Sequence, residues 1–264
     1  MTSPRPTQAG PGVHLESGGG AGPTVVFLHG SAASGAVWKP VTRELAGRRP
    51  DVGWLLADLP GHGRSRWQLD YSPDGYADAV AAGIRGHLGE RPVHLVGHSL
   101  GAMVALALAD GARGVSVASV LVIAMKVSWT EEELTRRAAA ATRPIRILPG
   151  REQARELFGR ISGMAGFAAA DLDSGVAVAE SGYRLSGDPR ITAAPPAPPA
   201  ALAALAARAA CPVRLACGDR DPGIRYEELV SVLGRPVTVL ANTGHNAHIE
   251  QPGLVANLVE QALR

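Results

Sequence analysis

A chain of 264 residues, 46% hydrophobic and 19% charged, is long enough to bury one sizeable core and polar enough to cover it. Its formal net charge is +2 and no Lys/Arg cluster stands out, which excludes the basic stripe that a nucleic-acid partner requires. The opening MTSPRPTQAG lacks the apolar region of a signal peptide, and AMVALALA and VSVASVLVIAM are too short to span a bilayer, so the expectation is a cytoplasmic protein without a membrane partner.

Residues 1–12 are rich in Pro, Gly and Thr and read as a tail, with the ordered fold expected to begin near Val13 and a Gly-rich turn expected over Ser17 to Pro23. Short apolar runs then recur between Gly, Pro and Asp: TVVFLH (24–29), VGWLLAD (52–58), VHLVG (93–97), VSVASVLVI (115–123), VRLAC (213–217) and VTVL (237–240). Their continuous apolarity predicts parallel strands buried on both faces. Helix-compatible segments lie between them at 37–46, 76–88, 101–109, 225–233 and 253–263, and this alternation predicts an α/β fold.

The rhythm breaks between about Lys126 and Ala210, where the chain reads as helices joined by loops. The expected division is a core of residues 1–125 and 207–264 with a helical lid inserted at 126–206. Thr130 and Glu133 have the spacing of a capping box, and AAPPAPPA (193–200) cannot be helix interior, because proline lacks the backbone donor. That segment is expected to link lid and sheet. Cys211 and Cys217 flank and end one strand-like run, which would hold them too far apart for a disulfide and suits a reducing compartment. Lys39 and Lys126 are the only lysines among many arginines, a bias of the kind a GC-rich bacterial genome imposes.

The chemistry centres on Gly97-His98-Ser99-Leu100-Gly101, which follows a strand-like run and precedes a helix-like one. A nucleophile needs such a tight turn to stand clear of a sheet. Serine needs a base, and His245 and His248 follow the strand VTVL; His245, directly after Thr243-Gly244 at the strand end, is favoured. The orienting carboxylate belongs on another strand-end loop, Gly218-Asp219-Arg220-Asp221-Pro222, where spacing alone leaves the two aspartates nearly even. Backbone N–H groups for an oxyanion are expected from Leu100 and from Ser31 in His29-Gly30-Ser31. His29, His62, His87 and His94 lack the spacing of a zinc site, so neither metal nor cofactor is expected.

Taken in order, LHGSAASGAVW, ADLPGHGRS, LVGHSLGA, GDRDP and NTGHNAHIEQP resemble the motif series of the α/β-hydrolase superfamily over all but the tail and the lid. The resemblance implies the α/β-hydrolase fold, a mostly parallel central sheet flanked by helices. It also implies Asp221, the second acidic position of its loop, as the partner of His245, and structural work for the loop from Asp58 to Ser65, His62 included. A serine at position 99 speaks against the epoxide hydrolases and haloalkane dehalogenases of this fold.

The expected activity is serine hydrolysis of an ester, thioester or lactone of a small to medium apolar substrate. Trp129, Phe158, Met164, Phe167 and Tyr183 are candidates to roof its pocket. Carbon–carbon bond hydrolysis, perhydrolase or lyase chemistry on the same fold is the rival, and a non-catalytic ligand-binding protein is less favoured. An acyl carrier protein is a candidate partner if the substrate is a carrier-bound chain.

Overall fold

The computed structural model describes residues 12–166 and 171–264. In chain order they form β1 (His14–Gly19), β2 (Thr24–Leu28), α1 (Lys39–Arg48), β3 (Gly53–Asp58), α2 (Pro73–Leu88), β4 (Val93–His98), α3 (Leu100–Leu108) and β5 (Val117–Ile123). Next come α4 (Glu131–Ala141), α5 (Arg151–Ile161), β6 (Val176–Ala179), β7 (Gly182–Leu185) and α6 (Pro199–Arg208). The chain closes with β8 (Val213–Gly218), α7 (Tyr226–Leu233), β9 (Val237–Leu240), α8 (Ala247–Glu250) and α9 (Pro252–Ala262).

Seven strands make one sheet in the order β1-β3-β2-β4-β5-β8-β9. All neighbours are parallel except β1, which runs antiparallel to β3. The apolar runs fill the centre: Val25 to Leu28 and Val120 to Ile123 are fully buried, as strands covered on both faces must be. α3 lies on β4 and β5 with α2 packed against it, and α9 lies on β5 with α1 against it. No helix among the described residues is long and apolar enough to cross a membrane.

Three features depart from the sequence reading. Residues 14–19, half of which were expected as turn, form β1. HLESGG has no apolar run because an edge strand is held by backbone pairing along one side, here with β3 from His14 opposite Asp58 to Gly19 opposite Gly53. The expected all-helical insertion contains the hairpin β6–β7, whose two four-residue strands are too short to show a period. Its last helix, α6, straddles the expected boundary at 206; Pro199 opens it at the first position, and Leu202, Leu205 and Ala206 are buried as it packs on α3 and α7. By packing, therefore, the chain rejoins the sheet layer at α6.

Other local signals match what forms. Thr130 Oγ1 accepts from Glu133 N at 3.2 Å while Glu133 Oε2 accepts from Thr130 N at 2.9 Å, closing the capping box of α4. Cys211 and Cys217 are both free thiols. In the loop after β3, Asp58 accepts from Gly35 N at 2.7 Å and Arg64 N at 2.8 Å, while Ser65 Oγ donates to the Asp58 carbonyl. That loop does structural work.

Candidate active site

Ser99 joins β4 to α3 with φ 50° and ψ −110°, a left-handed conformation that costs a residue with a Cβ about 1–3 kcal/mol. Packing on both sides enforces it. A Cβ on Gly97 would lie 2.3 Å from the Gly101 carbonyl oxygen, and one on Gly101 would lie 2.2 Å from the Leu28 carbonyl oxygen. Both neighbours are backbone and cannot swing aside, so helix and strand approach this closely only with glycine at both places. Gly101→Ala is expected to destabilise by about 3 kcal/mol or more, lowering Tm by roughly 6–12 °C. Gly86→Ala in α2, where a Cβ meets nothing within 4 Å, is expected to raise Tm slightly. Thermal denaturation of both variants checks the pair; equal shifts would sink the close-approach argument.

The loops after β8 and β9 meet against His98, the residue before Ser99. His245 Nδ1 donates to Asp221 Oδ2 at 2.6 Å, and the Asp221 side chain is 1% exposed against 38% for His245. Asp221 Oδ1 accepts from Gly223 N at 2.9 Å, so both carboxylate oxygens are engaged. Asp219, the other candidate, turns to the backbone and accepts from Thr243 N at 3.1 Å. Glu250 braces the far side of the histidine loop, accepting from Gly244 N at 2.6 Å and Asn246 N at 3.1 Å. His98 Nε2 donates to the His245 carbonyl at 2.9 Å, tying this loop to the strand that ends at Ser99. The rings of His98 and His245 lie 4.7 Å apart. Ser99 Oγ itself has no hydrogen-bond partner among the described residues.

The loop after β2 passes against the same point. A Cβ on Gly30 would lie 2.7 Å from His98 Nδ1 and 3.4 Å from the Ser99 Cβ. Ser31 follows, and the Leu100 N–H opens α3, where helix N–H groups have no partner within the helix. Neither amide has a protein acceptor among the described residues. Ser31, Ser99 and Leu100 line one cavity of about 100 Å³ together with Trp129 and Arg137 of the insertion. A second cavity of about 260 Å³, walled by Leu157, Phe158 and Leu185, meets the first at Ser31 and Ile191.

Residues 25–258 match the profile of the alpha/beta hydrolase family. The chain belongs to that family. A 2-succinyl-6-hydroxy-2,4-cyclohexadiene-1-carboxylate synthase of Yersinia pseudotuberculosis serotype O:3 is 32% identical over 255 residues, covering 89% of this chain and 85% of the relative. Lipase LipV of Mycobacterium tuberculosis is 36% identical over 112 residues, which is 42% of this chain and 41% of the lipase. Among solved structures, the fold is shared with the thioesterase domain from the curacin biosynthetic pathway, at TM-score 0.76, 24% identity and 94% of each chain. It is shared too with an E-2-(acetamidomethylene)succinate hydrolase, at TM-score 0.79, 21% identity and 95% and 94% of the two chains.

Unlike His245, the other histidines of this α/β hydrolase near the site lie in its interior. His29 is fully satisfied, Nδ1 donating to the Gly30 carbonyl at 2.7 Å and Nε2 accepting from Leu59 N at 2.9 Å, and burial lowers its pKa to about 4. Burial likewise lowers His62 to about 3, helped by His29 with its ring 5.0 Å away. His248, the alternative base, sits between the rings of Trp38 at 4.6 Å and His98 at 4.5 Å, and burial lowers it to about 3. His98 is held well below its usual range, again by burial. An unfolded chain therefore binds more protons than the fold between pH 6.5 and these values. Their contribution to stability is complete above pH 6.5 and is lost as pH drops toward 3–4. The urea midpoint is expected to fall steeply from pH 7 to pH 5 at constant m; a flat profile would mean the rings protonate within the fold.

Of the candidate roof residues, Trp129 lines the cavity at Ser99 and Phe158 the second cavity. Met164 is buried and Tyr183 pairs with the Leu148 backbone, both away from the cavity walls, and Phe167 lies outside the described residues. Sequence reasoning missed Tyr76 and Arg137, which line the cavity at Ser99. An arginine on a charged, capped helix reads as a solvated side chain until the packing of that helix is known. Among the described residues no group of three His, Cys, Asp or Glu side chains is placed to hold a metal ion.

Proposed function

We propose that this chain is a serine hydrolase acting on an ester, thioester or lactone of small to medium size, with Ser99 as nucleophile, His245 as base and Asp221 as its orienting acid. The observation that carries this reading is the 2.6 Å hydrogen bond from His245 Nδ1 to buried Asp221. It leaves Nε2 of the neutral ring unprotonated and able to take a proton. Ser99 Oγ attacks the acyl carbon as its proton passes to His245 Nε2, and the Ser31 and Leu100 amides hold the oxyanion. Collapse expels the alcohol or thiol, which takes that proton; water then attacks the acyl-enzyme by the same route and releases the acid. Such hydrogen bonds commonly tighten only when substrate is bound, which accommodates the unpartnered Ser99 hydroxyl.

A second reading rests on the Yersinia relatives, named as synthases and alike along 89% of this chain. In it, the same groups act as a base on carbon without net hydrolysis. The test is a p-nitrophenyl ester series from acetyl to decanoyl, with a thioester and a lactone beside it, and fluorophosphonate labelling of position 99. Turnover with labelled Ser99 supports hydrolysis. Labelling without turnover of any acyl substrate moves the reading to the synthase-like reaction, and absence of both overturns the assignment of Ser99. A shift of chain-length preference in Phe158→Ala is the expected sign that the second cavity holds the acyl chain; an unchanged optimum would place the chain elsewhere.

A further inference from the structure

We propose that Arg137, with Tyr76, forms a carboxylate-binding subsite facing Ser99, so that the substrate carries a negatively charged group distal to the bond cleaved. The inference rests on the proposed acyl-transfer reading for the identity of that bond. Both side chains line the cavity that contains Ser99, and both are left without the partners that buried polar groups ordinarily have. Tyr76 is 1% exposed and its hydroxyl makes no hydrogen bond among the described residues. Arg137 is half-buried on α4; among the described residues its Nε is buried without a partner and its one protein hydrogen bond is a long one, Nη2 to the Ala194 carbonyl at 3.4 Å.

Charge makes the orphan pair specific. Among the described residues the cavity wall holds two cations, Lys126 and Arg137, and no acidic side chain. Trp129 stacks with both, its ring centroid 4.9 Å from Lys126 Nζ and 4.8 Å from the Arg137 guanidinium carbon. Lys126 is neutralised by Glu133 at 2.5 Å, whereas no carboxylate lies within ion-pair distance of Arg137 among the described residues. A half-desolvated cation without a counter-ion is unfavourable, and burial lowers the Arg137 pKa accordingly. The group that compensates this charge is a carboxylate, which accepts two parallel N–H donors from a guanidinium, with Tyr76 lining the same wall.

The test uses matched esters whose chains end in a methyl or a carboxylate: ethyl butyrate, valerate and hexanoate beside monoethyl succinate, glutarate and adipate, followed by pH-stat. The full chain is expected to favour the anionic member of at least one pair in kcat/KM. Arg137→Met is expected to lower that anionic-to-neutral ratio by about 10- to 100-fold, the worth of a charge-assisted hydrogen bond, and Arg137→Lys to recover part of it. Calorimetric titration with glutarate gives a readout independent of turnover: binding by the wild type, weakened at least about 10-fold in Arg137→Met and less in Arg137→Lys. Circular dichroism confirms that the variants fold. Turnover of neutral esters without anionic preference overturns the subsite and leaves the hydrolase reading standing. Turnover of neither series overturns the hydrolase reading instead, and the titration alone then decides the subsite. Failure of the folded wild type to bind glutarate, or equal binding by Arg137→Met, overturns it.

Discussion

Ser99→Ala is expected to lower kcat/KM for an activated ester by about 10⁴-fold or more and to abolish fluorophosphonate labelling, with Tm unchanged. In the proposed mechanism no acyl-enzyme forms without Oγ, and only the amide donors and the cavity remain. Alanine keeps the Cβ, and the lost hydroxyl has no protein partner, so nothing in the fold is left unpaired. Ser99→Gly separates rate from stability, because it also removes the Cβ that makes φ 50° unfavourable. It is expected to be as inactive as Ser99→Ala yet more stable by about 1 kcal/mol, after the greater freedom of glycine in the unfolded chain is set against the relieved strain. Thermal melts beside initial rates read both quantities. A retained rate in Ser99→Ala would remove Ser99 as nucleophile. A Ser99→Gly variant less stable than Ser99→Ala would mean the elbow stores no strain.

Why some of this molecule is legible in its sequence and some is not follows from what each part is buried against. The inner parallel strands, β2 to β5 and β8, announce themselves because both of their faces are covered, which demands unbroken apolar runs such as Val25 to Leu28. β1 and the hairpin β6–β7 gain their order from backbone pairing, and pairing leaves no mark on composition. The elbow around Ser99 is legible because the close approach it needs is a local requirement, met by glycines two residues away on each side. The cavity wall is not, because Arg137 and Tyr76 come from α4 and α2, and nothing in either segment records that the other helix lies beside Ser99. Asp219 and Asp221 are a middle case. Their loop is legible from its position after β8, but which carboxylate meets His245 depends on a turn whose direction the residue types do not encode.

That turn carries the second large effect. Asp221→Asn is expected to cost about 10⁴-fold in kcat/KM near neutral pH, and Asp219→Asn less than about tenfold. The asymmetry follows from the donors facing each carboxylate. Gly223 N–H donates to Asp221 Oδ1 at 2.9 Å, so an asparagine at 221 keeps its carbonyl oxygen there and turns its NH₂ toward His245 Nδ1. An amide donor at that place demands that Nδ1 accept, which moves the ring proton to Nε2 and leaves no lone pair for the Ser99 proton. At 219 the needs are different. Asp219 accepts from a backbone N–H at Thr243, and the carbonyl oxygen of an asparagine does the same, so the histidine loop stays closed and loses only a charge. Initial rates for both variants, with circular dichroism to show that they fold, decide the matter. Equal losses, or a larger one at 219, would transfer the orienting role away from Asp221. If the proposed roles hold, the Asp221→Asn rate rises again at alkaline pH, where hydroxide replaces His245 as the base.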